Sequence, residues 1–221
     1  MNERGRLDWY IRLFRSVGRP LARAILRILY RISIFGTENV PRIGAYLVAP
    51  NHISLFEPPL IAAFWPKPLE AVGAKEVLLR PIQGQLMRLY GGIPVSRGEV
   101  DRTMLSELMR RLKAGLPALL FPEGGRSHSP GLRQGQLGVA YAASKANVPV
   151  IPVGLTGTHH SNEDWLQFRR PRVGISIGQA ISLPPSPEGG AERRAFLKTQ
   201  TERIMHAIAQ LLPESYRGIY G

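Results

Sequence analysis

His52 and Glu57 are of the types that suit acid–base chemistry, and they share the segment APNHISLFEPP at residues 49–59. An imidazole ordinarily titrates at about pH 6.5, so at neutral pH it can take a proton from a hydroxyl. A carboxylate on its other ring nitrogen fixes the tautomer that does so. On one straight helix a step of five residues turns a side chain through about 140°, and the two groups would face apart. Pro58 and Pro59 instead signal a helix that begins there, with Glu57 near its cap and His52 in the preceding turn. In that bend the acid can reach the ring. The competing reading is a capping glutamate beside an unrelated histidine.

A second group of residues suits an anion. In LLFPEGGRS at 119–127, Gly124 and Gly125 let backbone N–H groups approach a phosphate or an oxyanion. Arg126 adds a planar cation, and Glu123 beside it would hold that arginine in place or accept a substrate hydroxyl. Arg97 follows the run GGIPV at 91–95 and is a second cation at a strand end. Each feature alone is common on surfaces. Gathered in one cleft, they describe a phosphate-bearing substrate beside a general base.

Short apolar runs at 32–35, 45–49, 69–73, 92–95, 118–121, 149–154 and 172–177 read as strands that position these residues. Helical patterns lie near 59–64, 75–89, 101–114 and 136–145, and an amphipathic helix covers 191–212. The alternation predicts an α/β fold: a single domain over 32–221 with a central, mostly buried sheet flanked by helices. PPSPEGG at 184–190 reads as a loop before the last helix, and no repeat of solenoid period is present.

Residues 1–31 read as an amphipathic helical anchor for a membrane surface. Arg12, Arg15, Arg19, Arg23 and Arg27 recur every three or four residues beside a broad apolar face, with Trp9 near one end. Pro20 is expected to divide this segment into two shorter helices. The alternatives are a helix packed on its own domain with solvated arginines, and an organelle transit peptide, which the acids and the scarcity of serine disfavour.

The charge balance agrees with an anionic partner, since 29 Lys and Arg face 16 Asp and Glu for a net charge of +13. No apolar run approaches the roughly 20 residues of a spanning helix, and charges interrupt every candidate signal core near the start. The absence of cysteine removes a disulfide framework, a thiolate metal site and a cysteine nucleophile. No G-x-S-x-G elbow and no G-x4-G-K-[ST] loop is present, which removes the serine-hydrolase and NTPase readings. THHSNEDW, with His159 and His160 before Glu163 and Asp164, matches no zinc spacing and reads as a loop. Nucleic acid is set aside as a partner because no recognition module accompanies the basic charge.

These segments also resemble a family. HISLFE resembles the H-x4-D block of the glycerolipid (lysophosphatidic acid) acyltransferases; GGIPVSR, FPEGGRS and VIPVG are similar to their second, third and fourth blocks. The four occur in the family's order across residues 51–154, about half of the chain. The resemblance implies an enzyme peripheral or monotopic on the cytoplasmic face of a membrane. It would move a fatty acyl group from acyl-CoA or acyl-carrier protein to a lysophospholipid such as 1-acylglycerol-3-phosphate, with no further cofactor and no metal. It makes His52 the base and Glu57 the orienting acid, and places Lys75, Arg97, Glu123, Gly124, Gly125 and Arg126 in acceptor binding. Two positions depart from the pattern: Glu57 replaces the usual Asp, and Gly125 replaces the signature Thr. The second bears on the acceptor head group. The alternatives within the resemblance are another lysolipid or a glycolipid acceptor, and a non-catalytic lipid-binding member.

Overall fold

The apolar runs pair edge to edge into one seven-stranded sheet. A computed structural model describes residues 8–96, 101–127, 130–159 and 161–221. The strands are β1 (Arg31–Phe35), β2 (Leu47–Pro50), β3 (Glu70–Ala74), β4 (Ile93–Val95), β5 (Ala118–Leu119), β6 (Val150–Thr156) and β7 (Arg172–Ile177), in the spatial order β1-β7-β6-β2-β5-β3-β4. Every neighbouring pair is parallel except β6 and β7. The C-terminal ends of β2, β3, β4, β5 and β6 therefore lie on one edge, where the segments singled out in the sequence leave the sheet.

β2 is the centre of the domain, with Leu47 in register with Ala118 of β5 on one side and Val150 of β6 on the other. Successive side chains of a strand point to opposite faces, and here both faces are buried. Leu47 and Ala49 join a core with Leu108, Leu112, Val139, Ile204, Met205 and Ile208, which come from α4 (Arg102–Lys113), α5 (Gly138–Ala146) and α7 (Gly190–Gln210). Tyr46 and Val48 join the opposite core with Leu60, Ile61, Leu26 and Tyr30, from or beside α2 (Glu57–Phe64) and α1 (Trp9–Leu29). The expected helix over 75–89 is split into a 3-10 turn, Lys75–Leu79, and α3 (Pro81–Tyr90). Pro81 lacks an N–H and holds Arg80 extended, so α3 must start afresh. THHSNEDW is not all loop, because Ser161–Leu166 forms the short helix α6, with Glu163 and Asp164 in its first turn. Acids there favour the positive end of a helix. The last short helix is α8 (Glu214–Arg217).

The N-terminal segment differs from expectation in two ways. Pro20 lies inside one continuous helix, α1. Pro20 and Ser16 are both exposed, so the carbonyl freed by the missing N–H faces solvent rather than an apolar core. Also, the arginine stripe faces inward. Arg15 is 4% exposed and makes a bidentate pair with Glu70 of β3. Arg19 donates to the carbonyls of Ala62 and Trp65, and Arg23 to those of Ala63 and Trp65. These carbonyls lie in the last turn of α2 or just beyond it, where a helix has no acceptor-filling N–H of its own and cations are favoured. Arg12 and Arg27 stay exposed, with Arg27 over the Phe64 ring at 5.5 Å. The apolar stripe, including Trp9, Leu13, Val17, Leu21, Ile25 and Ile28, faces out. No described helix is long and apolar enough to cross a membrane.

Candidate active site

β2 ends in Pro50, and Asn51 then fixes the path of the chain. Its side chain accepts from Leu155 N–H at 2.7 Å and donates to Leu155 C=O at 3.0 Å, clamping the β2 exit to β6. His52 follows, 7% exposed, its ring stacked on Phe121 with centroids 4.0 Å apart. The expected bend forms: α2 begins at Glu57, with proline in its first positions. His52 Nδ1 lies 2.7 Å from Glu57 Oε2, and Glu57 is fully buried. The same oxygen accepts Ile53 N–H at 2.8 Å, and the other accepts the Thr158 hydroxyl at 2.6 Å. A carboxylate on Nδ1 places the ring proton there and leaves Nε2 as the basic nitrogen. Nε2 has no partner among the described residues.

The FPEGGRS turn after β5 is sewn to this histidine. Ser127 N–H donates to His52 C=O at 2.7 Å, and His52 N–H donates to Glu123 Oε1 at 2.8 Å. Glu123 Oε2 accepts Arg133 N–H at 3.1 Å, and the Arg133 side chain bonds the Gly125 carbonyl. Glu123 therefore differs from its expected role. The arginine it faces is Arg133, at 3.6 Å, not Arg126, and both of its oxygens are taken by backbone N–H groups. Burial pushes the Glu123 carboxyl up from the ordinary carboxylate range, against the opposite pull of those two donors. Gly124 has φ +68°, where a side chain is strained, and a Cβ there would stand 3.0 Å from Gln136. Arg126 is half-buried and makes no hydrogen bond or ion pair with described residues, which leaves its guanidinium open to a ligand.

Lys75 follows β3 at the same sheet edge, where it donates to Ser96 Oγ at 2.7 Å and sits 3.5 Å from Asp101. Asp101 caps α4 through Met104 N–H and also accepts from Ser96 N–H. Those donors, with Lys75, hold its carboxyl down at about 2. Arg97 lies outside the described residues.

A family model described as Acyltransferase matches residues 31–156, from the first strand to the end of β6. This chain belongs to the acyltransferase family. It is 30% identical to the 1-acyl-sn-glycerol-3-phosphate acyltransferase of Salmonella typhimurium over 172 residues, covering 76% of this chain and 69% of that protein. It is 28% identical to the enzyme of that name from Chlamydomonas reinhardtii, over 84% of this chain and 58% of the relative. It is 33% identical to the one from Limnanthes douglasii, over 58% of this chain and 46% of that protein. The chain thus spans about half the length of several curated relatives that it matches. The crystal structure of the 1-acyl-sn-glycerophosphate (LPA) acyltransferase PlsC from Thermotoga maritima shares the fold, with TM-score 0.64 and 24% identity over 87% of this chain and 78% of that one.

Within this acyltransferase fold the structure brings together His52, Glu57, Glu123, Gly124 and Gly125, and sets Arg126 one residue from the Ser127–His52 link. Thr158 and Arg133 escape sequence reasoning. Thr158 stands in a segment read as a plain loop, although it lies two residues beyond the end of a strand that leads to the site edge. Arg133 lies in LRQGQ, part of a run that resembles the family's passage from its third to its fourth block but in which no single residue stands out for a role.

Proposed function

We propose that this acyltransferase moves a fatty acyl group from an acyl thioester, of CoA or of a carrier protein, to the free hydroxyl of a lysophospholipid, with 1-acylglycerol-3-phosphate the leading acceptor. The observation that carries the reading is the buried His52–Glu57 pair, whose Nε2 has no partner among the described residues, with the unengaged Arg126 next in sequence to the Ser127 N–H that bonds the His52 carbonyl. Relatives named as 1-acyl-sn-glycerol-3-phosphate acyltransferases support the choice of acceptor.

His52 Nε2 removes the acceptor hydroxyl proton as the oxygen attacks the thioester carbonyl. The tetrahedral adduct collapses, the C–S bond breaks, and the imidazolium returns the proton to the departing sulfur. An acyl-enzyme is not needed, and neither is a resident cofactor. Arg126 meets the acceptor phosphate, with Lys75 of the same edge as a further cation and Arg97 as another by its place in the sequence. The outward apolar stripe of α1 rests in the lipid interface and delivers the acceptor from the membrane plane, with the net positive charge favouring anionic lipid.

The test is transfer of labelled acyl-CoA to lysophosphatidate in micelles. His52→Ala is expected to lower kcat by roughly 10²- to 10⁴-fold, the range a positioned general base supplies. Undiminished transfer by that variant removes His52 from the mechanism. The same assay run over a panel of lysolipids and glycolipid precursors decides the head group.

A further inference from the structure

The general-base reading makes no use of Thr158, yet this side chain is among the most deeply buried polar groups in the domain, at 1% exposure. Its hydroxyl donates to Glu57 Oε1 at 2.6 Å across a sequence separation of 101 residues. How it gets there follows from the exit of β6. Gly157 has φ +79°, and a Cβ would collide with the Arg172 carbonyl at 1.8 Å, so only glycine makes this turn. Gly157 N–H donates to the Tyr216 hydroxyl at 3.2 Å, and Thr158 C=O accepts the Ser161 hydroxyl at 3.0 Å. The Asn51–Leu155 clamp fixes the same strand end against the turn that carries His52. Thr158 is therefore held from both sides in one place relative to Glu57.

Resting on that reading of His52, we propose that Thr158 is a positioning residue for the reaction: its hydroxyl fixes the Glu57 carboxylate so that Oε2 faces His52 Nδ1. The carboxylate of a glutamate turns about its last bond with little restraint. Two donors, Ile53 N–H and His52 Nδ1, share Oε2, and nothing else described bonds Oε1. Without the Thr158 hydroxyl, Oε1 is left buried and unpartnered, and the carboxylate can turn so that Oε2 swings off His52 Nδ1. The ring proton then spreads between Nδ1 and Nε2, and each molecule with the proton on Nε2 has lost its base.

The test compares Thr158→Val, which keeps the shape and loses the hydroxyl, with Thr158→Ser, which keeps the hydroxyl. Kinetics use acyl-CoA with lysophosphatidate micelles, and ¹⁵N–¹H spectra of histidine-labelled protein read the ring tautomer. The chain has five histidines, so the peak missing from His52→Ala assigns His52. The expected result is a kcat lower by roughly 10- to 100-fold in the valine variant, with KM for both substrates unchanged, and recovery to near wild type in the serine variant. His52 should carry its proton on Nδ1 in wild type and serine, and show mixed tautomers in valine. Two results overturn the proposal: a valine variant with wild-type kcat and tautomer, or a folded serine variant as slow as valine. Should the valine variant fail to fold, the serine variant still decides, because it must match wild type in both readouts. An active His52→Ala would instead sink the general-base reading, and the tautomer spectra would still judge the Thr158–Glu57 link.

Discussion

Glu57 is longer by one methylene than the aspartate usual at this place in the family, and its surroundings use that length. Its carboxylate meets an imidazole, a backbone N–H and a threonine hydroxyl at 2.6–2.8 Å. Pro58 and Pro59 begin α2 directly behind it, so the backbone is not free to follow a shorter side chain. Glu57→Asp withdraws the carboxylate by about 1.5 Å, one C–C bond, and cannot keep all three contacts. We expect kcat to fall about tenfold with KM unchanged. Glu57→Gln, which turns an NH2 group toward a donor, should cost roughly 10³- to 10⁴-fold, the scale on which a wrong histidine tautomer acts. Steady-state kinetics on both variants checks this, and an aspartate variant as fast as wild type would show that the three contacts can re-form. The His52–Glu57 contact was legible in the sequence because a local bend, marked by two prolines, makes it. Thr158 and Arg133 were not, because strand order and the path of a loop bring them in. No spacing rule reaches across 101 residues.

At the scale of elements, all seven strands were legible to within about two residues, because the central runs of β2, β5 and β6 are buried on both faces and the outer ones are short apolar stretches between turn residues. α1 was legible as a striped helix, but periodicity carries no sign, and the stripe that turns inward is the cationic one. The deciding features are Glu70 on β3 and the open carbonyls at the end of α2, acceptors that a helical wheel of α1 alone does not contain. The apolar side left outside has a consequence for membrane binding. Leu13, Val17 and Leu21 are each more than half exposed and stand in successive turns. Burying such side chains in lipid contributes on the order of 1–2 kcal/mol each. Leu13→Gln, Val17→Gln and Leu21→Gln together should weaken co-sedimentation with anionic vesicles by at least about 100-fold, with melting within about 2 °C of wild type, since they touch no core. Arg19→Ala with Arg23→Ala should do the reverse, lowering the melting temperature while vesicle binding holds. If the arginine pair instead abolishes binding at unchanged stability, those side chains leave α2 to meet lipid.

For the molecule as a whole, α1 is packed into the domain through a buried charge cluster. Glu70 stands in the sheet between Arg15 of α1 and Arg111 of α4, all three almost fully buried. Arg15 also donates to the Tyr90 carbonyl at 2.9 Å and Arg111 to that of Gly91 at 2.8 Å, so the cluster grips the turn that leads into β4. Arg111 reaches Glu107 as well, at 2.7 Å. Such a cluster is costly to desolvate but costlier to break, because one deletion strands the remaining charges in the interior. Glu70→Ala leaves two facing guanidinium groups, and should lower unfolding stability by about 3–5 kcal/mol. Replacing the cluster whole, as Arg15→Met, Glu70→Leu and Arg111→Met, should restore most of that loss, because no buried charge is then unpaired. Urea unfolding of the single and triple variants measures both. If Glu70→Ala unfolds at the wild-type midpoint, water must reach the cluster and α1 is held by its apolar contacts and the α2 carbonyls alone. If the expected loss is found, removing residues 1–31 would not release a soluble catalytic domain. It would expose Glu70, Leu60, Ile61 and the last carbonyls of α2 together, so the helix proposed to meet lipid and the core that holds His52 stand or fall as one unit.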